Sequence, residues 1–367
     1  MTSRVAVVGT GMWGTTLGLL LAGKGLPVVL WARTVQEADD LRLARENRTF
    51  LPGVKFPDNL TVTASIEEAA GGCSLLLLVV PAQTMRANVR MGGGVLGEDV
   101  VVVSAAKGLE IGTGQRMSEV LGEELPEKLR TRVAVVSGPN LAREIVEGRP
   151  ATTVVASQDP AVAGFVADVL MSPRFRVYTN QDVVGVELGG ALKNIYALGA
   201  GIGDGLGVGD NAKAAFITRG LAEMARLGVA MGANPLTFAG LAGLGDLVAT
   251  CASKHSRNRS VGEQLAQGRK LSEIQASTRM VAEGVTTTVA ARDLAHRYGV
   301  EMPIAGLMHE VLFGDKSPVD AVVQLMTREP KDELYGIESA MRAHLSSRVD
   351  PRGGTTGASP TTPEMIS

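Results

Sequence analysis

The residues best suited to chemistry lie between Gly243 and Arg259, where Asp246, Ser256, Arg257 and Asn258 stand against an apolar, small-residue background. Burying a carboxylate without a partner costs several kcal/mol or forces it to take up a proton, so Asp246 calls for a cation. Arg257 offers a planar fork that matches phosphate, and Asn258 supplies both donors and an acceptor. Taken alone, the segment also reads structurally, with Asp246 capping a helix and Arg257 solvated. A second chemical residue is Lys193, in Leu188-Gly189-Gly190-Ala191-Leu192-Lys193-Asn194, where apolar residues repeat at helical spacing. A lysine on such a surface either snorkels to water or serves chemistry with its ammonium.

The N-terminus supplies what these groups act beside. Residues 4–9 read as a short buried strand, followed at once by Gly9-Thr10-Gly11-Met12-Trp13-Gly14, a helical run over 15–22 and a second strand over 28–31. Strand, glycine turn, helix, strand is the context in which G-x-G-x-x-G binds a dinucleotide. Gly9 permits the tight turn, Gly11 admits the pyrophosphate, and Gly14 lets the helix pack closely. The pyrophosphate then rests on free N–H groups at the helix start. The second strand ends in Trp31-Ala32-Arg33-Thr34, with the first acid at Glu37. An acid at the strand end would hold a ribose 2′-hydroxyl; Arg33 would instead receive a 2′-phosphate, which favours NADP(H). Arg33 laid over the adenine face would also suit NAD(H).

Two further strand ends carry ligand-type residues. Lys107 and Gly108 follow a strand over 100–104, and Gly138, Pro139 and Asn140 follow one over 133–136. In open parallel sheets, ligands bind outside the carboxyl ends of the strands, where these residues fall. The turn Pro81-Ala82-Gln83, after the strand over 74–80, is a third backbone surface of this kind.

The elements that position these groups divide along the chain. Strand-like runs at 74–80, 100–104, 133–136 and 152–156 alternate with helical or loop stretches such as 82–90 and 113–121, the pattern of a sheet flanked by helices. After about Asn180 the strand signals stop, and helices are expected over 211–227, 260–267, 281–298, 304–313 and 318–326. The predicted fold is an α/β Rossmann-type domain with a mostly parallel sheet over 1–182, then an all-α domain over 183–340. A Ser/Thr/Pro/Gly-rich tail over 346–367 is expected to be disordered. Cofactor and substrate would meet between the two domains.

Composition narrows the function classes. The 367 residues carry a net charge of -2, which gives no electrostatic reason to bind nucleic acid or an anionic membrane. Aromatics make up 4%, too few for a surface that stacks bases. Cys73 and Cys251 form no disulfide framework, and His255, His296, His309 and His344 form no metal-ligand pattern, so no metal is expected. Apolar runs such as 75–80 are too short to span a bilayer, and no leader is expected before the first strand. A cytoplasmic protein without membrane insertion is expected, and the apolar helices of the second domain are compatible with a homodimer.

The ordered motifs Gly9-Thr10-Gly11-Met12-Trp13-Gly14, Ala106-Lys107-Gly108-Leu109-Glu110, Ser137-Gly138-Pro139, Leu188 to Asn194, Gly243-Leu244-Gly245-Asp246-Leu247, Ser256-Arg257-Asn258-Arg259 and Val281-Ala282-Glu283-Gly284 closely resemble those of bacterial NAD(P)-dependent glycerol-3-phosphate dehydrogenases. The resemblance spans about residues 5–333. It implies reversible hydride transfer between NAD(P)H and dihydroxyacetone phosphate, giving sn-glycerol 3-phosphate for glycerophospholipid synthesis. It makes Lys193 the proton donor and acceptor, and has Lys107 touch both substrate and cofactor. Gly138, Asn140, Asp246, Ser256, Arg257 and Asn258 become substrate contacts. Met12, Trp13, Arg33, Ala142, Val281 and Glu283 become cofactor contacts, together with Arg257. This chain departs from the family pattern at Asn140, usually Thr or Ser, and at Arg33, often His. The chemistry agrees with the residues: reduction of a ketone places negative charge on oxygen, which a Lys193 ammonium stabilises and protonates. Asp246 and Asn194 would orient that lysine, while Arg257 and Asn258 grip a phosphate. Two rivals share parts of this pattern, a β-hydroxyacid dehydrogenase of the same architecture and a non-enzymatic NADPH-sensing protein.

Overall fold

The computed structural model describes residues 4–277, 281–330 and 332–333. The predicted tail and the end of the predicted second domain lie outside the described residues.

Eight strands form one sheet: β1 (Val5–Val8), β2 (Val28–Trp31), β3 (Leu60–Thr63), β4 (Leu75–Leu78), β5 (Val101–Ser104), β6 (Val133–Ser137), β7 (Ala151–Ala156) and β8 (Phe175–Asn180). Their order is β3-β2-β1-β4-β5-β6-β7-β8. β1, β2, β4 and β5 are buried along their whole length. Helices cover both faces, so these strands read as unbroken Val/Leu runs rather than alternating ones. Val5 pairs in parallel with Val28 on one side and Leu75 on the other. The winding direction therefore reverses between β1 and β4, which opens a crevice at their carboxyl ends.

All pairings are parallel except β6 with β7, where Val135 opposes Ala156. The chain turns back through Gly138 and the short helix Ala142–Val146, so β7 and its parallel neighbour β8 run against the other six strands. The expected mostly parallel sheet is present, with this reversal at one end.

Beyond β8 the described chain is helical. The helix Val183–Leu206 begins where the Asp182 carboxylate accepts from the Gly185 N–H at 2.9 Å, and it is buried on nearly every side. A helix buried all round must be apolar all round, which accounts for its run of Gly, Ala, Leu and Ile. The helices Asp210–Ala230, Asp246–Ala252, Arg257–Ala266, Glu283–Tyr298 and Pro303–Phe313 pack around it. The approach is closest at Gly201 and Gly262, where a Cβ on either would strike the backbone of the other helix.

Several elements differ from the sequence reading. β3, β8 and the helices Val35–Ala44 and Pro160–Leu170 were not anticipated; β8 is an outer strand with alternating exposure and a polar end. The helix expected from residue 281 starts at Glu283, and the one expected from residue 260 starts at Arg257. One segment, Pro235–Ala252, is long and apolar enough by composition to cross a membrane, contrary to the expectation that no run would be. It is broken into two short helices around a π-turn and packs against the helix Val183–Leu206.

Candidate active site

The π-turn Leu241–Gly245 hands the chain directly to the helix Asp246–Ala252, so Asp246 sits on its first turn. Such wide turns recur at functional sites because they re-aim the residues that follow. Asp246 is 1% exposed. Its side chain does not cap the helix; it holds two lysines. Lys107, three residues past β5, donates from Nζ to Oδ2 at 2.7 Å, and Lys193 donates to Oδ1. Lys107 also donates to the Gly138 carbonyl at 2.8 Å, and Lys193 to the Thr250 hydroxyl at 2.7 Å. The Thr250 hydroxyl in turn donates to the Asp246 carbonyl at 2.6 Å.

Two ammonium groups thus share one carboxylate, which leaves the centre with spare positive charge. Burial lowers the Lys193 pKa to about 7; the Asp246 carboxylate opposes that shift and the neighbouring Lys107 reinforces it. Lys193 does not snorkel to solvent, since it is 5% exposed. A lysine poised near neutrality can both give and take a proton under ordinary conditions. Thr250 escaped the sequence reading. Its signal was its position four residues after Asp246, which places both on one helix face.

A second chain of contacts runs beside the first. Asn258 Nδ2 donates to Asn194 Oδ1 at 2.9 Å, and Asn258 Oδ1 accepts from the Gly284 N–H at 3.0 Å. Asn194 follows Lys193 on its helix, so this chain links the lysine to the segment bearing Glu283. Ser256 caps the helix Arg257–Ala266 by accepting from the Arg259 N–H at 3.2 Å. The two arginines of that helix diverge. Arg259 is bound to Asp204 at 2.5 Å and Glu263 at 2.8 Å. Arg257 is exposed and has no ion-pair partner among the described residues, which leaves its fork available. The Glu283 carboxyl is raised in pKa because burial outweighs both the Arg257 cation and the Ala82 N–H. Glu283 also lies against Gly108: a Cβ there would be 3.4 Å from Glu283 Oε2 and 2.7 Å from the Ala82 side chain.

The glycine turn has the geometry its spacing predicts. Gly9 has φ +117°, and a Cβ on it would lie 2.5 Å from the Val79 carbonyl oxygen. A Cβ on Gly14 would collide with the Gly9 carbonyl, whereas one on Gly11 would meet nothing within 4 Å. Gly9 and Gly14 are thus explained by internal packing, and Gly11 is not. Its open space lies at the start of the helix Met12–Gly23, which has no side-chain cap and no acid in its first turn. That arrangement fits a pyrophosphate. Trp13 Nε1, on the same turn of helix, is buried with no partner among the described residues.

The remaining predicted residues fall around this centre. Arg33 is exposed just beyond β2 and outside the lysine cluster. Ala142 opens the short helix that packs against Met12–Gly23, and Val281 is exposed two residues before Glu283. Asn140 turns toward β7, its Nδ2 donating to Thr153 Oγ1 at 2.9 Å and its N–H to the Gly138 carbonyl at 2.8 Å. Cys251 is buried and its thiol is pushed up to about 12, so it stays neutral. Among the described residues, no group of three or more His, Cys, Asp or Glu is placed to hold a metal.

Comparison with known proteins agrees with this geometry. Residues 4–163 match the family described as NAD-dependent glycerol-3-phosphate dehydrogenase N-terminus, and residues 182–323 match the corresponding C-terminus. A glycerol-3-phosphate dehydrogenase (NAD(P)+) of Geobacter sulfurreducens is 52% identical over 335 residues, covering 91% of this chain and 100% of that protein. One from Dehalococcoides mccartyi is 50% identical over 335 residues, covering 91% of this chain and 93% of its own length. The crystal structure of the Coxiella burnetii glycerol-3-phosphate dehydrogenase superposes with a TM-score of 0.85 at 36% identity, covering 89% of this chain and 99% of that one. The chain belongs to the NAD-dependent glycerol-3-phosphate dehydrogenase family.

Proposed function

We propose that this chain interconverts dihydroxyacetone phosphate and sn-glycerol 3-phosphate with a nicotinamide coenzyme, and so supplies the glycerol backbone of phospholipids. The observation that carries the reading is the Asp246 carboxylate shared by Lys107 and Lys193, with the Lys193 pKa near 7. When bound, the coenzyme supplies or accepts the hydride. Gly9, Gly11, Met12, Trp13 and Gly14 would hold its pyrophosphate side, and Ala142, Val281 and Glu283 would line the crevice around it. The exposed Arg33 supports use of NADP(H) beside NAD(H).

In reduction, Lys193 gives its proton to the carbonyl oxygen as negative charge develops there, and Asp246 and Thr250 keep the ammonium aimed. In oxidation, the neutral amine takes the hydroxyl proton. Lys107 adds a second positive charge beside the reacting oxygen. Asn194 holds Asn258, and Asn258, Arg257, Ser256, Gly138 and Asn140 bind the rest of the substrate, with the Arg257 fork on the phosphate. Such anchoring can supply several kcal/mol by orientation alone. We divide the chain functionally into a dinucleotide-binding part, 1–182, and a substrate part, 183–340. The two free, buried cysteines are consistent with a reducing cytoplasm, and a homodimer formed by the helical part completes the reading.

The test is loss of NADPH or NADH absorbance with purified protein and dihydroxyacetone phosphate, beside the same ketone without phosphate. Rapid oxidation with the phosphorylated ketone alone is expected. Coenzyme binding without turnover of either ketone would overturn the reading.

A further inference from the structure

Thr10, inside the glycine turn, is gripped from several sides. Its carbonyl accepts from Asn47 Nδ2 at 2.7 Å and from the Thr15 hydroxyl at 3.2 Å. Its own hydroxyl donates to Glu37 Oε1. The other oxygen of Glu37 accepts from the backbone N–H of Arg33 at 3.3 Å. Glu37 therefore bridges the glycine turn and the residue beyond β2, although it stands well past that strand in sequence. The helix Val35–Ala44 folds it back: Thr34 caps the helix by accepting from the Glu37 N–H at 3.2 Å, which puts the carboxylate one turn in and facing the strand end. The site thus acquires an acid at the position where a dinucleotide fold receives the adenosine ribose. The sequence shows only Arg33 there.

A carboxylate offers about four lone-pair positions, and two are used by Thr10 and Arg33. The remainder can accept from ribose hydroxyls. Toward a 2′-phosphate the same group presents like charge, which is disfavoured. Arg33 is exposed beside it and has no ion-pair partner among the described residues, so its guanidinium pulls the other way. We propose that Glu37 is a coenzyme-discriminating residue, accepting from the 2′-hydroxyl of NAD(H) and opposing the 2′-phosphate of NADP(H), with Arg33 as its counterweight. This rests on the coenzyme site assigned under Proposed function.

The experiment measures dissociation constants of NADH and NADPH for the full chain, Glu37→Gln and Arg33→Ala, by quenching of tryptophan fluorescence at two salt concentrations. Glu37→Gln keeps a side chain that can still accept from Thr10 but removes the charge. The expected result is a shift of the affinity ratio toward NADPH by about tenfold or more, smaller at high salt. Arg33→Ala should move the ratio toward NADH. Equal weakening of both coenzymes in Glu37→Gln, with the ratio unchanged, would overturn the inference and leave Glu37 as a brace for the glycine turn. If the unaltered chain binds neither coenzyme, the site assignment fails and this inference fails with it.

Discussion

Arg116 Nη1 and Glu187 Oε2 lie 2.7 Å apart at the seam between the sheet and the helix that carries Lys193. Glu187 also accepts from the Ser118 N–H at 2.8 Å and the Ser118 hydroxyl at 2.5 Å. Arg116 closes the loop that carries Lys107, so this pair holds the two lysines' supports in register. Burial raises the Glu187 pKa even against the Arg116 cation, which means the carboxylate depends on its partners. Glu187→Ala strips Ser118 of its acceptor and leaves Arg116 paired with the half-exposed Glu119 alone, and a loss of about 1–3 kcal/mol is expected in denaturant unfolding. The double variant Arg116→Met/Glu187→Met should recover part of that stability, because an apolar pair of similar volume has no desolvation to offset while Ser118 still lacks its acceptor. Its turnover should stay well below normal, since small displacements of reacting groups are costly.

Gly11 and Gly14 separate coenzyme binding from folding. Gly11 has φ -63° and ψ 173°, backbone that any residue adopts, and its surroundings are open. Gly11→Ala should therefore fold with stability within about 0.5 kcal/mol of normal, yet bind either coenzyme at least about tenfold more weakly. Gly14→Ala gains about 1 kcal/mol in helix propensity but drives a methyl into the Gly9 carbonyl. Overpacking against backbone costs about 1–3 kcal/mol, so a net loss of stability is expected. Thermal melts beside coenzyme titrations distinguish the two variants.

The lysine–aspartate centre was legible because each partner announced itself locally: Lys193 in an apolar helical run, Asp246 among small residues, Lys107 past a buried strand. What sequence spacing could not convey was sharing. That Lys107 and Lys193 meet at one carboxylate depends on how β5 and two helices pack, a tertiary fact. Glu37 shows the same limit from the other side, since only the cap at Thr34 returns it to the end of β2. β8 is not legible because Phe175 and Val177 alternate with the exposed Arg176 and Tyr178 in a polar-ended run, unlike the Val/Leu block of an interior strand. The reversal at β7 was invisible because strand propensity carries no direction.

Arg257 and Arg259 should respond differently to the same change. Arg257→Gln removes an unpaired fork at the helix start, and the KM for dihydroxyacetone phosphate should rise about tenfold or more with smaller change in turnover. Arg259→Gln instead breaks its contacts to Asp204 and Glu263, so its effect should appear in the melting temperature. An unchanged KM for Arg257→Gln would place the phosphate elsewhere.

The pH dependence of the two reaction directions follows from Lys193. With its pKa at about 7, the ammonium needed for ketone reduction is present below neutrality and is lost as pH rises through that value. Reduction should therefore fall on the alkaline side, and alcohol oxidation, which needs the free amine, should fall on the acid side. Lys193→Met should lose about 10²-fold or more in turnover and both of these limbs, with coenzyme affinity unchanged. Thr250→Val removes an oxygen that accepts from Lys193 and so favours its charged form. The Lys193 pKa then drops further, and the alkaline limb of reduction moves to lower pH. A profile that stays in place in Thr250→Val would mean that some group other than Lys193 sets the limb.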